Sequence, residues 1–168
     1  MGNKSGWTVE KGIYQQIYTY LVSYYPRKVE KIEDIPSFCQ FRSLPAKYAK
    51  KLLEIIPAEF LEDRQNFAPK LVSFLEAGKN HERELEFFGY YIGPKRKDER
   101  LTIDSFVYYP TNEDEEILRN YDAVDSAKVW EAIAKKLDVL DAIEPPDELL
   151  PISPTYFGER SGWWVWWD

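Results

Sequence analysis

One cysteine, one histidine and eight glycines in 168 residues remove several kinds of chemistry at the outset. A lone Cys39 makes no internal disulfide, no CxxC redox pair and no zinc finger. A single His81 cannot supply the paired imidazoles of an HExxH zinc site, and the run His81-Glu82-Arg83-Glu84-Leu85-Glu86 does not have that spacing. The glycines form neither GxxxxGK[ST] nor GxGxxG nor GxSxG, so a phosphate-cradling loop and a nucleophile elbow are both missing. No cofactor is expected. Long apolar runs are absent too: the longest charge-free stretch, residues 12–26, contains Gln15, Gln16, Thr19 and Ser23 and is too short and too polar to span a bilayer. Residues 1–5 carry no apolar segment of the secretory kind, so the expected address is the cytoplasm, with no membrane partner.

What the chain has instead is rings, and acidity in one half. Aromatic residues make up 16%, and 22 Lys plus Arg stand against 29 Asp plus Glu, a formal net charge of −7. Residues 1–100 hold 17 basic and 14 acidic side chains, whereas residues 101–168 hold 5 and 15. Such an acidic half repels DNA and anionic lipid and favours a protein partner with a basic surface. A chain of this length buries roughly 70% of its extended surface, enough for one core, and residues 1–168 read as a single domain.

Hydrophobic spacing assigns the first half to helices. Ile13, Ile17 and Leu21 lie four apart, predicting an amphipathic helix over residues 8–25 that stops at Pro26. A second helix is expected over residues 43–57, with Ser43 as cap, Pro45 in its first turn and Tyr48, Leu52, Ile55 and Ile56 inward. A third starts near Pro69, buries Leu71, Val72, Phe74 and Leu75, and closes at Gly78. The pattern then changes. Residues 84–92 and 101–109 are rich in aromatic and β-branched side chains around a charged turn, which is a hairpin signal. An acidic helix from Thr111 and a second one capped by Asp125 and Ser126 follow, then a proline-rich connection.

The chain ends Gly162-Trp163-Trp164-Val165-Trp166-Trp167-Asp168. Enclosing one indole removes about 150–250 Å² from water. At about 25 cal/mol per Å² that is roughly 4–6 kcal/mol before losses, so four such rings do not hang free in solvent. A terminal strand added to the hairpin would point Trp163, Val165 and Trp167 one way and Trp164 and Trp166 the other. The expected architecture is therefore α+β: N-terminal helices packed on a small antiparallel sheet made of the hairpin 84–92/101–109 and the strand 162–167, with two helices between.

If Ile92 faces Leu101, one hairpin face carries Phe87, Tyr91, Phe106 and Tyr108. Extended by Trp164 and Trp166, these six residues are the candidate partner-binding surface. The leading expectation is a non-catalytic acidic protein that binds, and in doing so inhibits, another protein, as an immunity protein, an antitoxin or a phage-encoded inhibitor does. Two alternatives stay open. The aromatic face could read single-stranded nucleic acid or carbohydrate, with the turn at residues 95–100 touching phosphates, although nucleic acid is disfavoured by charge. A carboxylate-dependent hydrolase would use Glu84, Glu86 or Asp104, the last standing among rings where desolvation raises its pKa. An enzyme is the less favoured of these readings, and Cys39, set between Phe38 and Phe41, reads as an inert buried thiol and not as a partner of His81.

Overall fold

The computed structural model describes residues 5–22, 29, 31–111, 125–152 and 160–168. The alternating rings of the second half make the expected hairpin, β2 (Leu85–Ile92) and β3 (Arg100–Tyr108). The C-terminal strand β5 (Gly162–Trp166) pairs antiparallel with β3. Two further strands extend the sheet on both sides. β1 (Phe38–Pro45) pairs with β2, and β4 (Glu148–Ile152) pairs with β5, giving the order β1-β2-β3-β5-β4.

The hairpin register differs from the expected one. Ile92 lies opposite Arg100 and Tyr91 opposite Leu101, while Phe88 faces Ser105 and Gly89 faces Ile103, so Asp104 is the extra residue of a bulge. Glycine is required there. A Cβ on Gly89 would stand 2.0 Å from the carbonyl oxygen of Thr102. The bulge resets the alternation of β3, so that Leu101, Ile103, Phe106 and Tyr108 all join Leu85, Phe87 and Tyr91 in the core. Asp104 and Ser105 then fall in succession on the opposite face, with Val107 beyond them.

The helices cover one side of the sheet. In place of a continuous helix over residues 8–25 there are α1 (Trp7–Glu10), α2 (Ile13–Ile17) and a 3-10 turn at Tyr18–Tyr20. Gly12, at φ 83°, interrupts the run. The spacing still marks the core, because Ile13, Ile17 and Leu21 are all buried; Tyr25 and Pro26 lie outside the described residues. The second helix also starts later than expected. Residues 43–45 belong to β1, where Ser43 takes φ 51° at an irregularity in the pairing and caps no helix. After a 3-10 turn at Ala46–Tyr48 comes α3 (Ala49–Ile55), then α4 (Ala58–Leu61) beyond Pro57.

The third helix, α5 (Leu71–Asn80), buries Leu71, Phe74 and Leu75 and leaves Val72 half-buried. It runs past Gly78, which is no left-handed cap but a point of close approach: a Cβ there would meet Ala49 Cβ and the Phe87 ring at 2.8 Å each. Gly78→Ala is therefore expected to destabilise the fold by about 1–3 kcal/mol, although alanine is the better helix former. A lower urea midpoint with unchanged far-ultraviolet dichroism is the expected result, and a raised midpoint would show that the contact yields.

In α6 (Ser126–Leu137), Asp125 Oδ1 accepts the Lys128 N–H at 3.3 Å, Val129, Ile133 and Leu137 face inward, and Asp138 closes the helix at φ 56°. The acidic helix expected from Thr111 lies beyond that residue, outside the described ones. Ring contacts join helices to the sheet: Tyr14 meets Tyr91 at 5.6 Å, Phe74 meets Phe87 at 6.3 Å and Phe106 at 5.9 Å, and Trp130 meets Trp167 at 5.2 Å. Among the described residues no helix is long and apolar enough to cross a membrane.

Candidate functional site

The opposite, outer face of the sheet is where side chains face solvent. Strand pairing fixes its membership. Trp164 lies between Val107 of β3 and Leu150 of β4, and Trp166 between Ser105 and Glu148. On the other side of β3, Tyr90 sits opposite Thr102 and Gln40, and Ile92 opposite Phe38. Phe38 stacks on Tyr90 at 5.2 Å, and Phe88 meets Trp164 edge-to-face at 5.0 Å. Phe38 and Leu150 remain 52% and 51% exposed, and Phe88, Tyr90, Trp164 and Trp166 are half-buried. The Trp164 indole N–H donates to Glu148 at 3.0 Å, which fixes its plane.

The six residues expected to share one binding surface are divided by the sheet. Trp164 and Trp166 are together on the outer face, but Phe87, Tyr91, Phe106 and Tyr108 are no more than 1% exposed and belong to the helix-covered core. The cause is register: opposite Trp164 and Trp166 stand Val107 and Ser105, not Phe106 and Tyr108. Phe38, Phe88 and Tyr90 take their place beside the two tryptophans. Alternation within β2 carried the signal for Phe88 and Tyr90; which tail face they would join depended on the pairing.

Two shallow depressions cross this face. One, about 230 Å³, is lined by Gln40, Arg42, Phe88, Trp164 and Ser105 among others, and the second, about 320 Å³, by Phe38, Gln65, Asn66, Arg100 and Asp168 among others. Tyr90, Asp104 and Trp166 line both. Asp104 is only 6% exposed, its Oδ1 accepting from Ser105 Oγ at 2.7 Å and its carboxyl from the Trp166 side chain. Burial pushes the Asp104 carboxyl above the usual aspartate range, and these two hydrogen bonds act the other way.

Glu84, Glu86, Cys39 and His81 lie outside the lining of the two depressions. Glu84 Oε1 is 3.1 Å from His81 Nδ1. Burial also raises the Glu86 carboxyl, against a hydrogen bond from Ser43 and the charge of Arg160. Cys39 Sγ donates to the Val22 carbonyl at 3.2 Å and burial raises its thiol pKa; it pairs with Tyr91, six residues and about 20 Å along β2 from the His81–Glu84 end. Among the described residues no three His, Cys, Asp or Glu side chains converge to hold a metal ion. In the turn at residues 95–100, Arg96 makes two 2.8 Å bonds to Asp98, and Glu99 turns inward to the N-terminal segment.

The fold class is α+β, with an antiparallel sheet covered by helices on one side and lined by half-exposed rings on the other. No protein-family model, no curated protein and no solved structure matches the chain.

Proposed function

We propose that the protein is a non-catalytic binding protein that docks another protein on the outer face of its sheet and blocks it, in the manner of an immunity protein, an antitoxin or a phage-encoded inhibitor. The row Phe38, Tyr90, Phe88, Trp164 and Trp166 supports this reading. These rings stand half-exposed from β1 to β5, whereas the helix-to-sheet ring contacts of the described residues lie on the other side. Tryptophan and tyrosine dominate the centres of protein interfaces because they bury large areas at little cost in side-chain freedom. Arg42, Arg96 and Arg100 share the lining with Asp98 and Asp168, and Glu148 pairs with Trp166 in the sheet, a mixture of signs that sets orientation in docking and suits a polyanion poorly. The overall charge of −7 steers encounter toward a basic partner.

Photo-crosslinking in the native cell tests this. A benzophenone side chain in place of Phe38 or Phe88 is expected to trap one and the same protein. The same group at Glu131, exposed on α6, is expected to trap none of it. Capture of that protein through Glu131 alone, or adducts at Phe38 and Phe88 consisting of nucleic acid or glycan only, would contradict the proposal.

A further inference from the structure

The two depressions meet at Asp104, and the surroundings of that carboxylate are unusual for an acidic side chain so fully covered. A buried carboxylate ordinarily has a cation against it, because desolvating its charge is costly. Asp104 has the Ser105 hydroxyl at 2.7 Å and the Trp166 side chain, and no lysine or arginine among the described residues makes an ion pair with it.

Three arginines share the lining of the two depressions, and none of them forms an ion pair with Asp104. Arg96 forms a two-bond pair with Asp98, Arg100 stands 3.7 Å from the same carboxylate, and Arg42 Nη2 reaches Gln40 Oε1 at 3.4 Å. Asp98 and Asp168 line the second depression together with Arg96 and Arg100. Tyr90 and Trp166 line both depressions with Asp104, Trp166 turning its indole N–H to the carboxyl, and the faces of such rings attract cations. The bulge at Gly89 is what brings this about, since it sets Asp104 and Ser105 side by side on the outer face while Ile103 and Phe106 stay in the core. A desolvated carboxylate without a cation, flanked by two aromatic rings in an open groove, is complementary to a guanidinium, which pairs with carboxylates, stacks on rings and is more weakly hydrated than an ammonium.

We infer that this notch receives an arginine side chain of the bound protein, the guanidinium seated on Asp104 against Tyr90 and Trp166. The inference rests on the outer face being the docking surface, and it names the feature of the partner that the face selects. Arginine is the partner residue that anchors the contact, and the surrounding rings exclude water from it.

Two measurements test it. In the first, N-acetyl-arginine amide is titrated into the wild-type protein while the Trp166 indole N–H resonance is followed, with the citrulline analogue, of nearly the same shape but without charge, as control. A saturable shift with arginine, at least about tenfold weaker with citrulline and about tenfold weaker in Asp104→Asn, is expected. Equal responses to arginine and citrulline, or a stronger response to a neutral oligosaccharide such as cellohexaose, would overturn the inference without recourse to any variant. In the second, crosslinking from Phe88 is repeated with Asp104→Asn, its fold checked by near-ultraviolet dichroism. Loss of capture by a folded variant supports the arginine notch. Undiminished capture refutes the notch and leaves the docking face standing, whereas failure of the wild-type protein itself to capture a protein refutes the docking face.

Discussion

Trp167→Ala is expected to lower the free energy of unfolding by about 3–5 kcal/mol, the range for removing a large buried ring. Trp167 is 1% exposed. Its ring lies 6.1 Å from Phe74 of α5, 6.3 Å from Phe106 of β3 and 5.2 Å from Trp130 of α6, so it packs two helices against the end of the sheet. Its indole N–H donates to the Glu144 carbonyl at 3.0 Å, and its backbone N–H to the Asp104 carbonyl at 3.0 Å. Truncation would keep the backbone bond but remove the indole donor and open a cavity between three elements. Trp164→Ala, three residues away on the outer face, is expected to cost about 1 kcal/mol, because its ring is already half in water. Urea unfolding followed by far-ultraviolet dichroism compares the two without relying on tryptophan fluorescence. Equal losses would mean that the sheet does not have one packed and one open face.

The contrast between these tryptophans was legible in the sequence, and its limits are instructive. Strict alternation in residues 162–167 needs no knowledge of neighbours: once the segment is a strand, Trp163, Val165 and Trp167 share one side. The hairpin was equally plain, because two ring-rich runs flank one turn. Register was not. It depends on the bulge opposite Gly89, where the local signal is a single glycine and the cause is a carbonyl of the neighbouring strand. Joining the tail to the hairpin requires that register, and so the candidate surface combined Trp164 and Trp166 with the wrong set of rings.

β1 and β4 escaped for different reasons. Phe38-Cys39-Gln40-Phe41 alternates for only four residues before the irregularity at Ser43, and the strand it pairs with lies some forty residues further along the chain. β4 contains Pro151 and follows Pro145 and Pro146, a composition that reads as loop; an edge strand accepts a proline whose missing N–H no ladder needs. Asp104 shows the opposite case. Its position among rings already pointed to desolvation, and the structure places it buried with its carboxyl raised.

Glu99→Ala is the second large effect expected, at about 3 kcal/mol or more, and it comes from a polar group instead of a ring. Glu99 is 5% exposed, in the turn between β2 and β3. Its Oε2 accepts the Gly6 N–H at 2.7 Å, and its Oε1 accepts the Thr8 N–H at 2.9 Å and the Thr8 hydroxyl at 2.6 Å. Gly6 and Thr8 open α1, where backbone N–H groups have no partner within the helix, so an acid from the far hairpin serves as the missing cap. The Thr8 hydroxyl, having donated to Glu99, is left to accept from Tyr91 OH at 2.8 Å, which ties α1 to the sheet. The Glu99 carbonyl also holds the Trp7 indole at 3.1 Å, with that ring stacked on Phe60 at 4.0 Å. Alanine keeps this last bond and strands three buried donors. Glutamine, with one carbonyl oxygen for three donors and an amide group turned toward some of them, should recover only part of the loss. Hydrogen exchange at the Gly6 and Thr8 amides distinguishes the mechanism from a general loss of stability. Both amides should exchange faster in Glu99→Ala even where the β2 and β3 amides stay protected, because α1 would detach from the hairpin before the sheet opens. Unchanged protection at those two positions would show that the carboxylate is not what holds them.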